Sequence, residues 1–269
     1  MLDMIIGTYK RKRKELKNAT PLTYILGRVI RGLFTILVSH FMYENVFNQT
    51  VSDSFIENSG SLDYMTFVVI GSAVHVLGVS TMMSVGRGLI SELRMGTLEP
   101  LLLSPKNKIA YFLGLMVEQV QRSTVEFIIV LLFGVLFGAK LSFLLSIKSI
   151  LALSLIIISF FSMSVLVAAM MIYTRDTYVT QNTLFIFMYF ICGISFPISY
   201  LPLSLQAISS VFPMTHSINL VRYLASGTLL YSNWVTSISF IVILSTLYFM
   251  LGYGWYRRYE KKILENNLS

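Results

Sequence analysis

The sequence predicts an all-α polytopic membrane protein with six transmembrane helices. Three observations carry that prediction. Of the 269 residues, 55% are hydrophobic and only 13% charged. Soluble domains carry roughly 25% charged residues, so these polar groups cannot cover a globular surface. The mean hydropathy is +0.71, and apolar stretches of about 20 residues, the length that crosses a hydrocarbon core, recur along the chain. The bases, which give a net charge of +8, stand in short runs between those stretches. That pattern fits membrane topology and anionic headgroups better than a nucleic-acid face. High hydrophobicity with low charge also excludes a disordered chain. The single cysteine, Cys192, forbids an intrachain disulfide.

Residues 1–21 read as a cytoplasmic interfacial basic arm. Leu2, Ile5, Ile6 and Tyr9 give it apolar spacing, and Lys10, Arg11, Lys12, Arg13, Lys14 and Lys17 give it charge. The apolar run that follows is too long for a signal-peptide core and lacks a small-residue cleavage site, so it is expected to be retained. Span one covers 22–43, with Arg28 and Arg31 in its first turns placed to snorkel or to face protein. A polar loop over 45–63 carries Asp53, Glu57 and Asp63 and no base. Span two covers 64–85. A polar connector over 87–108 holds Arg87, Arg94, Lys106 and Lys108.

Span three covers 109–138 and span four 149–173, joined by a short loop. Span five, 181–197, is short. Residues 198–231 are moderately apolar but broken by Pro202, Pro213 and Gly227. They read as two short re-entrant helices, since proline ends or kinks a helix and irregular backbone survives at depth only against protein or water. Span six covers 234–255, with aromatic residues near both ends. The domain reading is therefore an arm over 1–21, a six-helix transmembrane domain over 22–256 and a cytoplasmic tail over 257–269.

Six spans place both termini on one side. The arm, the second connector, Arg175 and the tail (Arg257, Arg258, Lys261, Lys262) put 15 bases there, against Lys140, Lys148 and Arg222 opposite. The positive-inside rule makes the first side cytoplasmic, in a plasma membrane. The chain has no Gly-x-x-x-x-Gly-Lys-Ser/Thr string, so it is not expected to hydrolyse ATP itself. His40, His75 and His216 are far apart, and no Gly-x-Ser-x-Gly elbow occurs. No catalytic residue, metal or bound cofactor is expected, and nucleic acid is not expected as a partner.

Two segments carry chemistry. In Glu92-Leu93-Arg94-Met95-Gly96-Thr97-Leu98-Glu99-Pro100-Leu101-Leu102-Leu103-Ser104-Pro105, Gly96 bends the chain and Thr97 can N-cap a short helix with Glu99 in its first turn. Ser104-Pro105 ends that helix. It reads either as a knob for a soluble partner's socket or as an amphipathic connector packed on the membrane. In span three, Glu118, Arg122 and Glu126 are spaced by four on one face, with two acids around one base. Such charges are costly in a span unless paired. They read as an ion-paired staple between helices, a switching or substrate contact, or a proton relay.

The first segment resembles the ABC-2 type permeases, the membrane subunits of type-two ABC exporters. These carry Glu-x-x-x-Gly-Thr-Leu/Met-Glu-x-Leu-x-x-Ser/Thr-Pro after their second span, matched here by Glu92, Gly96, Thr97, Leu98, Glu99, Leu101, Ser104 and Pro105. A second resemblance, Gly-x-x-Phe-Pro…Leu-Pro…Pro-x-Thr…Arg, falls on Gly193, Phe196, Pro197, Leu201, Pro202, Pro213, Thr215 and Arg222. The resemblance implies that the segment around Gly96, with Leu102 among its apolar knobs, is a coupling helix docking in a separate ATP-binding subunit, flanked by Glu92 and Arg94. It implies that 198–231 closes the outer mouth, that two copies of the permease (spans one and five at their interface) work with two ATP-binding subunits, and that ATP and Mg bind on the partner. The coupling motif is similar to the drug and antibiotic-efflux branch, which implies export of a small amphiphile, drug, peptide antibiotic or lipid. The alternatives are a polysaccharide or glycolipid exporter, whose usual N-terminal Arg-Tyr-x-x-Ser motif is not found here, and a membrane enzyme or scaffold outside this family.

Overall fold

The computed structural model describes residues 1–19, 22–50, 52–59, 62–104, 107–174, 178–226 and 234–266. It is 87% helical, with no strand among the described residues. The helices are α1 (Leu2–Ala19), α2 (Leu22–Asn45), α3 (Asp53–Ser59), α4 (Tyr64–Met82), α5 (Ser84–Arg94), α6 (Leu98–Leu103), α7 (Lys108–Leu136), α8 (Ile147–Thr174), α9 (Tyr178–Ile191), α10 (Leu203–Val211), α11 (Pro213–Ser226) and α12 (Trp234–Asn266). Short 3₁₀ turns cover Ser142–Leu145 and Ile198–Tyr200.

Four stretches among the described residues are long and apolar enough to cross a membrane: Tyr64–Arg94, Lys108–Leu136, Ile147–Thr174 and Trp234–Lys261. Helix α2 has 24 residues and α9 only 14. At about 1.5 Å per residue, α9 is shorter than a hydrocarbon core is thick. The fifth apolar run therefore ends at Ile191, not at 197, and its last residues turn instead.

Local chemistry sets the helix ends. Asp63 caps α4, accepting from the Thr66 backbone N–H at 3.0 Å and its hydroxyl at 2.8 Å. Asn107 caps α7 by accepting from the Ile109 N–H at 2.9 Å. At the end of α5, Gly96 has φ +70°, Thr97 N–H bonds to the Glu92 carbonyl at 2.9 Å and Gly96 N–H to that of Leu93 at 3.2 Å. This paired pattern closes a helix on a left-handed residue, which only glycine adopts cheaply. The bend read at Gly96 is thus a Schellman closure.

The connector over 87–108 is not a loop throughout. Its first half is α5, separated from α4 only by Met83. The charges of Arg87 and Glu92 disguised a helical pattern in which Val85, Leu89 and Glu92 are all buried. Likewise the loop over 45–63 contains α3, and the tail continues α12 to Asn266 without a break at 256.

Helices α4 and α5 form the centre of the bundle. Helix α4 is apolar on every side and wholly enclosed, as such a pattern requires. Its neighbours are α7, α8 and α11, with α2 packed against α4 and α7, α9 against α4, and α12 along α8. Val74, Met82, Phe160, Met171 and Met214 fill the main core. Helix α1 lies along α7, where Tyr9 donates to Gln121 at 2.6 Å. One face of α2, Ile30, Phe34, Leu37 and Phe41, is left exposed.

Candidate functional site

The end of the bundle that carries both termini is organised around Glu92. Its side chain is 1% exposed and lies on the last turn of α5. A buried carboxylate needs compensating donors. Glu92 has four: the Arg11 guanidinium, the Lys12 ammonium at 3.0 Å, the Tyr111 hydroxyl at 3.1 Å and the Thr97 hydroxyl at 2.5 Å. These come from α1, α7 and the α5–α6 turn. One acid therefore fixes three segments, and Lys12 itself is buried. Glu15 adds a second acid, 2.8 Å from Lys12 and 3.0 Å from Arg11.

Helix α6 hangs from this knot. Leu98 and Leu102 point into a core with Phe112, Leu115 and Tyr256. Glu99, Pro100 and Leu103 remain exposed, Leu103 at 67%. The Lys108 ammonium donates to the carbonyls of Leu101 at 3.0 Å, Leu102 at 2.9 Å and Ser104 at 2.5 Å, closing the C-terminus of α6 with the charge its dipole favours. A cleft of about 470 Å³ lies between α1 and α6, with Asp3, Thr8, Arg11 and Leu101 in its walls.

Several expected positions are corrected here. Thr97 occupies the N-cap position of α6, but its side chain makes no cap hydrogen bond; the Glu92 carboxylate takes its proton instead. Glu92, read as flanking the contact, is enclosed by α1 and pairs with Arg11 and Lys12. Arg94 and Glu99 are exposed, and Gly96 is the exposed turn between them. Pro105 lies outside the described residues. Sequence reading missed Arg11, Lys12, Lys108 and Tyr111. The only signal was the arm's excess of bases opposite a lone acid in an apolar register.

The three charges of α7 separate. Arg122 pairs with Glu118 through Nε–Oε1 at 2.8 Å and Nη2–Oε2 at 3.0 Å, and also donates to Gln119 at 2.9 Å. Glu126 accepts from the Ser80 hydroxyl of α4 at 3.2 Å. With Arg87, Gln181 and Phe185 it lines a pocket of about 20 Å³, room for about one water. The arrangement of two acids around one base is therefore incorrect. Helical side chains lean toward the N-terminus, so Arg122 reaches back to Glu118, whereas Glu126 is held by the Ser80 hydroxyl of α4.

At the opposite end, α9 stops at a turn over 192–197 and the chain folds into α10 and α11. Arg222 of α11 is buried and donates to the carbonyls of Gly193 at 2.8 Å, Ile194 at 2.9 Å and Phe67 at 2.9 Å. Its guanidinium also lies 3.3 Å from the centre of the Phe67 ring. The contact is close because Gly71 has no side chain: a Cβ there would stand 2.4 Å from the Ile194 oxygen. Thr215 donates to the Ser209 carbonyl at 2.8 Å and closes the corner at Pro213 between α10 and α11. From α12, Tyr248 donates to the Val211 carbonyl at 2.9 Å. Gly193 and Arg222 thus meet directly, with buried Pro197 and half-buried Phe196 on the same turn, while Pro202 and the Pro213–Thr215 corner bound α10.

A family model described as ABC-2 type transporter matches residues 10–226. The match takes in the Glu92 knot, α6, the charges of α7 and the Arg222 contacts. Among curated proteins no match is found.

Proposed function

The chain belongs to the ABC-2 type transporter family, and from that premise we propose that it is the permease of an ATP-driven exporter. As a member it is a transmembrane component of an ABC transporter, is not itself the ATPase, and partners an ATP-binding subunit. In our reading α2, α4–α5, α7, α8 and α12 cross the membrane, α9 completes a sixth crossing together with the turn over 192–197, and the basic end faces the cytoplasm of a cell whose plasma membrane holds the chain. Two copies of the permease meet two ATP-binding subunits, which bind ATP and Mg. The cargo is a small amphiphile, drug, peptide antibiotic or lipid drawn from the bilayer, in keeping with the apolar faces the helices expose.

The observation that carries this reading is the rigid mounting of α6. A docking helix transmits force only if it cannot slip. Lys108 fixes its end, Leu98 and Leu102 its buried face, and Glu92 its root. Its exposed side, Glu99, Pro100 and Leu103, is free to enter a partner's cleft. From the root, α5 and α4 run as an almost unbroken 31-residue rod, Tyr64–Arg94, that carries Phe67 in its far turn. Closure of the ATP-binding subunits would push α6, and the rod would carry the motion to Phe67 and Arg222, a rigid-body transition between two states.

The experiment is a mild-detergent isolation of the chain from its native membrane, followed by ATP hydrolysis. A stoichiometric ATP-binding subunit is expected, and Glu99→Arg is expected to release it while the chain stays inserted. A chain that purifies alone, or that keeps its ATPase after Glu99→Arg, would refute docking through α6. Cargo is then read from which amphiphiles, against soluble glycans, raise the hydrolysis rate.

A further inference from the structure

Another cleft lies away from both regions above. It encloses about 610 Å³ between the first turns of α8, the last turns of α11 and the start of α12. Its inner walls are hydrocarbon: Leu155, Leu220 and Ile238. Around it Ile147, Ile150, Leu151 and Val235 are exposed, so the cleft opens on the surface that faces lipid.

The rim is different in kind. It carries the Lys148 ammonium, the Trp234 indole, the Tyr223 hydroxyl and the Ser146 hydroxyl. Lysine and tryptophan only donate hydrogen bonds, and the Tyr223 hydroxyl can donate; the Ser146 hydroxyl gives its proton to Ser149, whose own goes to the Phe143 carbonyl. Among the described residues no acid pairs with exposed Lys148. The sequence explains why: between Glu126 and Glu260 the chain has a single acid, Asp176, which comes after the last residue of α8 in the sequence, whereas Lys148 stands in the first turn. The acids at this end of the bundle, Glu44, Asp53, Glu57 and Asp63, belong to α2, α3 and the cap of α4.

An apolar slot under a rim of donors, with one cation that no carboxylate neutralises, complements an amphiphile whose head is an acceptor-rich anion. Tryptophan and tyrosine at such a rim also mark headgroup depth. We propose that this cleft is a binding site for one membrane phospholipid with an anionic headgroup: the headgroup on Lys148, one acyl chain along Leu155, Leu220 and Ile238. With the basic end in the cytoplasm, as read above, the lipid belongs to the outer leaflet.

The chain supplies its own probe. It has two tryptophans, and Trp255 is exposed near the other end of α12, so Trp255→Phe leaves Trp234 as the sole indole. The full chain with this change is reconstituted in phosphatidylcholine vesicles holding a small fraction of acyl-brominated phosphatidylglycerol or, separately, acyl-brominated phosphatidylcholine. Bromine quenches only an indole it touches. Phosphatidylglycerol is expected to quench Trp234 more strongly, at about fivefold local enrichment, the pull of one lysine on an anionic lipid. Lys148→Gln is expected to equalise the two lipids, and Lys140→Gln, the other exposed lysine at this end, to leave the preference intact. Equal quenching of the parent, a preference that survives Lys148→Gln, or its loss in Lys140→Gln as well would overturn the site. Only the choice of leaflet rests on the orientation read above; the lipid preference at Lys148 needs neither that orientation nor a partner, so its failure would leave the transport reading standing.

Discussion

Removing the carboxylate at Glu92 leaves the Lys12 ammonium buried and unpaired and Arg11 without its inner partner. Breaking a buried ion pair from one side costs about 3–5 kcal/mol, and half-exposed Arg11 brings the expected loss to the lower end. We expect Glu92→Ala to free α1 while the rod of α4 and α5 holds. Backbone hydrogen exchange over 2–19 should then rise well above that of 64–82, and equal protection in both would refute the knot. Arg222→Lys makes the complementary case. An ammonium cannot span the Gly193 and Phe67 carbonyls as the planar guanidinium does, so a loss of about 1–3 kcal/mol is expected in thermal unfolding. Both residues stand out in the sequence, Glu92 in the coupling motif and Arg222 in a proline-rich run. Their partners do not, because Arg11 and Phe67 approach from 81 and 155 residues away. Chain spacing carries no record of such contacts.

Helix α6 was legible as an element before its mounting was. The Gly-Thr-Leu-Glu string fixes a bend, a short helix and an acid in the first turn, and all three are present. Its anchoring by Lys108 was not legible, since a lysine after Ser-Pro reads as a loop charge. Lys108→Met should leave α6 uncapped, and the assembled transporter should lose ATP-coupled transport before it loses stability, because the cap is worth only about 0.3–1 kcal/mol. Unchanged coupling would mean that the apolar face alone holds α6. Within α7 the same spacing rule failed by half. It placed Glu118, Arg122 and Glu126 together correctly as a face but not as a network. A double-mutant cycle should therefore give coupling of about 0.5–3 kcal/mol for Glu118 with Arg122 and nearly none for Arg122 with Glu126. Strong coupling in the second pair would restore the arrangement read from spacing.

For the whole molecule, composition identified a membrane protein, and length with hydropathy placed the third and fourth spans within two residues at each end, but stopped the second nine residues and the sixth six residues short of their helical stretches. Helix α5 was lost because its charges outvoted its period, and the end of α9 because a turn packed on protein is as apolar as a helix. The exposed stripe of Ile30, Phe34, Leu37 and Phe41 on α2 repeats at alternating steps of four and three, the spacing of a helix seam. If two permeases meet there, Phe34→Cys and Phe41→Cys should form disulfide-linked dimers in native membranes, the single natural cysteine being buried. Failure of both positions to cross-link would move the interface elsewhere.

The enclosure of α4 and α5 also bears on how the chain is made. This rod emerges from the ribosome before α7, α8 and α11, the helices that surround it. It is apolar enough to enter the bilayer by itself, so lipid must be its first solvent and protein its second. Because hydrocarbon and packed leucine are nearly equivalent surroundings, the exchange has little hydrophobic cost, and close packing at small residues such as Gly71 and Gly78 favours it. Biogenesis then has a late step in which a span already inserted is wrapped by spans made after it, and a chain interrupted before α8 would leave the future centre of the protein facing lipid, exposed to quality-control proteases.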